Sequence, residues 1–258
     1  MEFGVCSLSM IPLRAEPSDK AEMVSQLLFG ECYKILIKKS KWFKIKTAFD
    51  SYEGWISENQ HQEIHERIFN KITSEKHPVA LDLIHTASVY HENTLIVMGS
   101  TLPYYDGMHF KINSTQYNFY GQAVFPEHPL SLEKVIEKCA MKYLNVPYMW
   151  GGRSPFGIDC SGFTQIVFKA LGIYLKRDAH QQAEQGAFID FIELSKEGDL
   201  AFFENETGKI THTGIVLKEQ KIIHASGKVR IDKLDHYGIF NADTKKYSHK
   251  LKFIKRLF

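Results

Sequence analysis

The chain changes character at Phe125-Pro126-Glu127-His128-Pro129. Two prolines so close together stop a helix from running through, because each lacks a backbone donor and restricts the residue before it. Ahead of this break the apolar residues recur in short runs separated by turn residues; behind it they first recur at helical spacing. The break therefore predicts a β-rich front and an α+β back. A chain of 258 residues has room for one large domain or two to three small ones.

In the front part, strand-like runs cover residues 4–9, 13–19, 31–38, 42–47 and 54–56, a spacing that predicts a small all-β barrel over residues 1–60. Residues 60–71 are polar, with Ile64 and Ile68 at helical spacing, and read as a connecting helix or linker. A less regular β module follows, with strands expected within 79–87 and 95–98 and a turn over 103–107. The expected division is thus 1–60, 61–127 and 128–258.

Past the break, Ser131 is placed to cap a helix whose apolar face is Leu132, Val135, Ile136, Cys139, Ala140 and Tyr143. That helix should stop near Asn145, ahead of Pro147. A tight loop over 147–152 leads to a second helix beginning at or near Cys160, with Phe163, Ile166, Val167, Ala170 and Leu171 on one face and Gly172 as its terminator. Strands are then expected over 198–204, 211–217, 221–225 and 251–257. Helices first and antiparallel strands afterwards define an α+β domain.

Thirty-two Lys and Arg against thirty Asp and Glu leave a net charge of +2, with no concentrated basic face, so nucleic acid is not the expected partner. The cluster Lys38, Lys39 and Lys41 reads as a solvated strand edge. No apolar run approaches the roughly 20 residues of a membrane span. The N-terminal residues lack the basic start and continuous apolar stretch of a secretory signal, so a cytoplasmic location is expected, or a periplasmic one if a leader has been removed.

Four cysteines stand without CxxC spacing. Cys6, Cys32 and Cys139 sit in apolar surroundings, whereas Cys160 is bracketed by Asp159, Ser161 and Gly162 at a helix start. A helix N-terminus favours negative charge and should lower the pKa of a thiol placed there. A nucleophilic thiol needs a base and a group to orient that base. Of twelve histidines, His212 opens an apolar strand beside Gly214, and His224 ends the next strand. If those strands pair through the intervening turn, the two rings meet at one end. His180, at a loop or helix start, is intermediate between a cleft-facing and a structural reading, while His61, His65, His77, His85, His91, His109, His128, His236 and His249 read as structural. A metal site from His212, His224 and His180 lacks a close carboxylate pair or second thiol, so neither metal nor cofactor is expected.

The runs Pro147-Tyr148-Met149-Trp150-Gly151-Gly152, Asp159-Cys160-Ser161-Gly162-Phe163, Arg177-Asp178, Gly198-Asp199-Leu200, His212-Thr213-Gly214-Ile215 and Ile223-His224-Ala225 occur in the order found in NlpC-type cell-wall cysteine peptidases, which residues 131–258 resemble. The resemblance implies a papain-like α+β fold, with Cys160 as nucleophile, His212 as base and His224 orienting it. It also implies substrate contacts from Tyr148, Asp159, Ser161 and Asp178. The front part resembles bacterial SH3-like modules through Leu13-Arg14-Ala15-Glu16-Pro17-Ser18, Leu28-Phe29-Gly30-Glu31 and Tyr52-Glu53-Gly54-Trp55-Ile56. One or two such barrels ahead of the peptidase are similar to the γ-D-glutamyl-L-diamino-acid endopeptidases of murein recycling. That similarity implies a preference for short peptides with a free N-terminal L-alanine, whose ammonium Glu16 and Tyr52 would hold. The expected partner is a murein peptide, and the expected state a monomer. An amidase or acyltransferase on the same fold, or a non-catalytic binder of wall peptides, are the competing expectations.

Overall fold

The computed structural model describes residues 2–125 and 132–258. The expected cap at Ser131, the side chain of Leu132 and the break at 126–129 lie outside the described residues. Two compact units divide the chain: Met1–Pro129 with Trp150–Pro155, and Leu130–Met149 with Phe156–Phe258.

In the first unit, β1 (Glu2–Val5), β2 (Met10–Arg14), β3 (Met23–Leu28), β4 (Cys32–Lys39), β5 (Trp42–Thr47), β6 (Glu53–Ser57) and β7 (Gln62–Ile64) form one antiparallel sheet in the order β3-β2-β6-β5-β4-β1-β7. The cause is visible in β5, where Phe43, Ile45 and Thr47 are buried while Trp42, Lys44 and Lys46 are half-exposed, the alternation of a one-sided strand. Phe43 and Ile45 pack with Leu13, Leu27, Tyr33 and Ile56. Strand β3 was not expected, because the buried Ser25 and Gln26 mask its pattern.

The segment after residue 60 differs from the expected linker. Ile64 lies in β7, paired with Phe3, so its helical spacing to Ile68 is overridden by strand pairing. Helix α1 (Glu66–Ser74) starts after it and buries Phe69 and Ile72 with Phe3, Phe29, Phe110 and Phe119. That core is shared with a second β module made of β8 (Val79–Ala80), β9 (Ile84–Val89), β10 (Glu92–Val97), β11 (His109–Ile112), β12 (Thr115–Phe119) and β13 (Ala123–Val124). Its strands pair as β10-β9-β12-β11 and β13-β8. The first unit also holds β14 (Arg153–Ser154): the Arg153 guanidinium donates to both Glu31 carboxylate oxygens at 2.8 and 2.9 Å, and its backbone N–H to Gln26 at 2.7 Å.

The second unit contains α2 (Leu132–Lys142), β15 (Gly157–Ile158), α3 (Cys160–Lys169), α4 (Ala179–Gln182), β16 (Ala187–Ile189), β17 (Leu200–Glu204), β18 (Ile210–Leu217), β19 (Lys221–Ser226), β20 (Lys228–Asp235), β21 (Gly238–Asn241) and β22 (Lys246–Arg256). The sheet order is β16-β22-β17-β18-β19-β20-β21, and β21 also pairs with β22, so six strands close on themselves. Ala201, Phe203, Val216, Ile222, Leu234, Ile239 and Ile254 form a core within this sheet. The β17–β18 turn is built by Asn205, whose side-chain oxygen accepts the backbone N–H of Thr207 and Lys209. Strands β20 and β21 were not expected, since the first is rich in charge and the second has only four residues.

Helix α3 packs against α2, β18 and β19, and every one of its residues is buried. It ends at Lys169, three residues short of Gly172. Gly172 adopts a φ of 75°, with its N–H on Lys169 and that of Ile173 on Phe168, which closes the helix. Among the described residues no helix is long and apolar enough to cross a membrane.

Candidate active site

Cys160 is the first residue of α3 because Asp159 caps the helix, its Oδ1 accepting the Gly162 N–H at 2.7 Å. The same carboxylate accepts both terminal nitrogens of Arg177, at 3.1 and 2.6 Å, and Arg177 donates to Ser161 Oγ at 2.9 Å. Asp159, Ser161 and Arg177 are all buried. Gln182 of α4 completes this cluster, donating to the Ser161 carbonyl at 2.9 Å and accepting from Thr164 at 2.7 Å. Asp178 starts α4 through a capping box with Gln181. The expected substrate contacts Asp159, Ser161 and Asp178 therefore carry structural bonds, two of them next to the thiol.

On the opposing wall, β18 and β19 pair with Ile215 opposite Ile223, and extending that register sets Gly214 across from His224. A Cβ at Gly214 would lie 2.8 Å from the His224 Cβ, so glycine is required for the strands to approach. His212 Nε2 and His224 Nδ1 are 2.8 Å apart, and His224 Nε2 lies 3.0 Å from Asp232 Oδ2. Arg230 grips the same carboxylate, Nε on Oδ2 at 2.7 Å and a terminal nitrogen on Oδ1 at 2.8 Å. Helix α3 packs on β18, and the backbone N–H of Thr213, next to His212, is among the groups that pull the Cys160 thiol pKa down, so the helix wall and the strand wall meet near the sulfur. Tyr148 is pinned by its N–H on the Gly227 carbonyl at 2.9 Å. Its phenol pKa is raised by burial and then by the charges of Cys160 and Asp159, which marks it as a neighbour of both.

The electrostatics correct the expectation of a resting thiolate. Burial pushes the Cys160 thiol up to about 12, and the Asp159 charge adds to the rise. The N–H groups of Thr213 and Ser161 and the charge of Arg177 pull the other way without prevailing. The N-cap carboxylate occupies the position where the helix terminus would otherwise favour a thiolate. His212 is held well below its ordinary value by burial, and then by His249 and His224. Both shifts favour the uncharged forms, thiol on Cys160 and imidazole on His212.

Glu16 and Tyr52 belong to the first unit. Glu16 is exposed in the turn after β2, and Tyr52 packs half-buried on that unit's core in the turn before β6. The pairing of Arg14 with Trp55 brings these two turns to one end of the sheet. His180 is exposed on α4 and is not among the clustered histidines. In its place β22 supplies His249, expected to be structural, whose ring stacks on His212 at 4.0 Å between centroids and 22° between planes. Burial lowers His249 to about 4, with the nearby His224 adding to the shift. Nitrogens of His212, His224 and His249 lie within 4.8 Å of one another. His224 already uses both ring nitrogens, one on His212 and the other on Asp232.

Sequence reasoning missed Asp232, Arg230 and His249. For Asp232 the available signal was an acid within a strand-like alternation, Val229-Arg230-Ile231-Asp232, two residues beyond an arginine.

A helix-borne thiol opposite a strand-borne histidine pair, on an α+β scaffold, is the arrangement of a cysteine peptidase. Residues 145–247 match the NlpC/P60 family and residues 13–60 the bacterial dipeptidyl-peptidase Sh3 domain, so the chain carries an NlpC/P60 peptidase domain behind an SH3 domain. It is 26% identical over 227 residues to the gamma-D-glutamyl-L-lysine dipeptidyl-peptidase of Bacillus cereus, covering 79% of this chain and 67% of that protein. It is 28% identical over 265 residues to dipeptidyl-peptidase 6 of Lysinibacillus sphaericus, covering 88% and 89%. The crystal structure of an NlpC/P60 family protein from Bacillus cereus shares the fold, with a TM-score of 0.81, 19% identity and coverage of 98% and 99%.

Proposed function

We propose that the chain hydrolyses the amide between the γ-carboxyl of D-glutamate and the diamino acid of murein peptides. The observation that carries this reading is the placement of Cys160 at the head of α3, which packs on β18 and β19, the strands that bear the hydrogen-bonded His212–His224 pair. The name of the Bacillus cereus relative, gamma-D-glutamyl-L-lysine dipeptidyl-peptidase, supports the bond type.

In this reading the Cys160 sulfur attacks the γ-carbonyl carbon while its proton passes to His212, so no free thiolate is needed beforehand. The oxyanion is stabilised by backbone N–H groups at the start of α3 and by the Tyr148 hydroxyl. His212 then gives its proton to the leaving amine, the C–N bond breaks, and a thioester remains on Cys160. Water, deprotonated by His212, attacks the thioester and restores the thiol. Neither step calls on a metal or cofactor.

The reading extends to substrate choice: a monomer acting on short peptides whose free N-terminal L-alanine is held by Glu16 and Tyr52. A carboxylate and a phenol are suitable acceptors for an ammonium group. The test is turnover of L-Ala-γ-D-Glu-diamino acid against its N-acetylated form, with lysine and meso-diaminopimelate versions, followed by mass spectrometry. Release of L-Ala-D-Glu from the free peptide and at least tenfold slower cleavage of the acetylated one are expected. Equal rates would remove the ammonium contact, and cleavage at another bond would remove the assigned reaction.

A further inference from the structure

His224 is held on both sides. Its Nδ1 lies 2.8 Å from His212 Nε2 and its Nε2 lies 3.0 Å from Asp232 Oδ2, with both His224 and Asp232 almost wholly buried. Burial alone would raise the Asp232 pKa, but the hydrogen bonds from His224 and Arg230 and the Arg230 charge hold the carboxyl below its usual range. An ionised carboxylate only accepts hydrogen bonds, so the proton between it and His224 resides on His224 Nε2. With one ring proton on His224, held at Nε2 by Asp232, its Nδ1 is bare, and the bond to His212 is then donated by His212 Nε2–H. That leaves His212 Nδ1 as the bare nitrogen of the base.

We propose that Asp232 is a positioning residue that fixes the tautomers of both histidines, so that His212 presents an unprotonated Nδ1 to the Cys160 thiol. Arg230 orders the carboxylate by its two-pronged grip and is itself steadied by Asp243 at 2.9 Å. The proton relation runs in one direction along β18, β19 and β20. When His212 takes the thiol proton, its Nε2–H bond to His224 strengthens, and the negative charge of Asp232 stands one ring away to stabilise the imidazolium. This inference rests on the proposed cysteine-peptidase chemistry, but it concerns ring protons that are observable without any substrate.

The experiment is ring-nitrogen NMR of the full chain with labelled histidine, on the wild type and on Asp232→Asn, together with kcat and KM for a γ-D-glutamyl peptide. In the wild type near neutral pH, both His212 and His224 should appear as Nε2–H tautomers. In Asp232→Asn the signals should show mixed or reversed tautomers, with kcat lower by about 10- to 1,000-fold and KM within about twofold. His224 found as the Nδ1–H tautomer in the wild type would overturn the proposal. So would a variant with unchanged tautomers and unchanged kcat. Should Asp232→Asn fail to fold, the wild-type spectrum still decides between the two tautomers. Should the wild type cleave no murein peptide, the reaction assignment fails while the ring spectrum, and the rate of Cys160 alkylation by iodoacetamide, still read the effect of Asp232.

Discussion

Replacing Arg177 by methionine isolates the ion pair on which the start of α3 depends. Arg177 and Asp159 are both buried, and the guanidinium meets the carboxylate with two bonds while also donating to Ser161 Oγ. Methionine keeps much of the apolar stem but leaves the Asp159 charge without its cation. Removing one partner of a buried pair costs about 3–5 kcal/mol, because the remaining charge is stranded away from water. For a domain of this size about 2–4 °C accompanies each kcal/mol, so the unfolding transition that includes α3 should fall by about 6–20 °C. A double-mutant cycle with Asp159→Asn, followed by thermal and urea denaturation, measures the coupling. The double variant should be more stable than the sum of the single losses by at least about 2 kcal/mol. A cost below about 1 kcal/mol for Arg177→Met, or strict additivity, would refute the claim that this pair organises the helix start.

The favoured uncharged forms of Cys160 and His212 predict a particular pH dependence. Because His212 must be unprotonated to act and is depressed by burial, kcat/KM should fall on the acid side with an apparent pKa below 6.5, and Cys160 alkylation should stay slow at neutral pH and rise only as the thiol's raised pKa is approached. A flat, fast alkylation rate between about pH 5 and 8 would instead indicate a preformed thiolate–imidazolium pair. Gly214→Ala drives a methyl group to within 2.8 Å of His224 Cβ and of Ile222 Cδ1, and should cost about 1–3 kcal/mol while lowering kcat by displacing His224. Wild-type melting and turnover for that variant would remove the close-approach argument.

Much of the site was legible because local chemistry fixes it. Asp159, Cys160 and Gly162 announce a capped helix start, and the apolar run after His212 announces a strand. The turn between those expected strands, 198–204 and 211–217, is equally local, since Asn205 builds it by bonds to its own neighbours. What escaped reading depends on strands meeting across the closed sheet. Asp232 and His249 reach the histidine pair only because β20 pairs with β19 and β22 pairs with β17 and β21, a closure no single segment encodes. Ile64 shows the opposite error, a helical spacing that pairing with Phe3 overrides. The thiol's protonation was misread because the cap that starts the helix also brings a buried carboxylate to its terminus.

The central claim is that Cys160 is the nucleophile for a γ-D-glutamyl bond. The direct measurement is release of L-Ala-D-Glu from L-Ala-γ-D-Glu-diamino acid by the wild type and by folded Cys160→Ala, judged against equal melting temperatures. Cys160→Ala should lose at least about 10³-fold in kcat, with no acyl-enzyme mass detectable on rapid quenching. Turnover by Cys160→Ala within tenfold of the wild type would contradict the assignment.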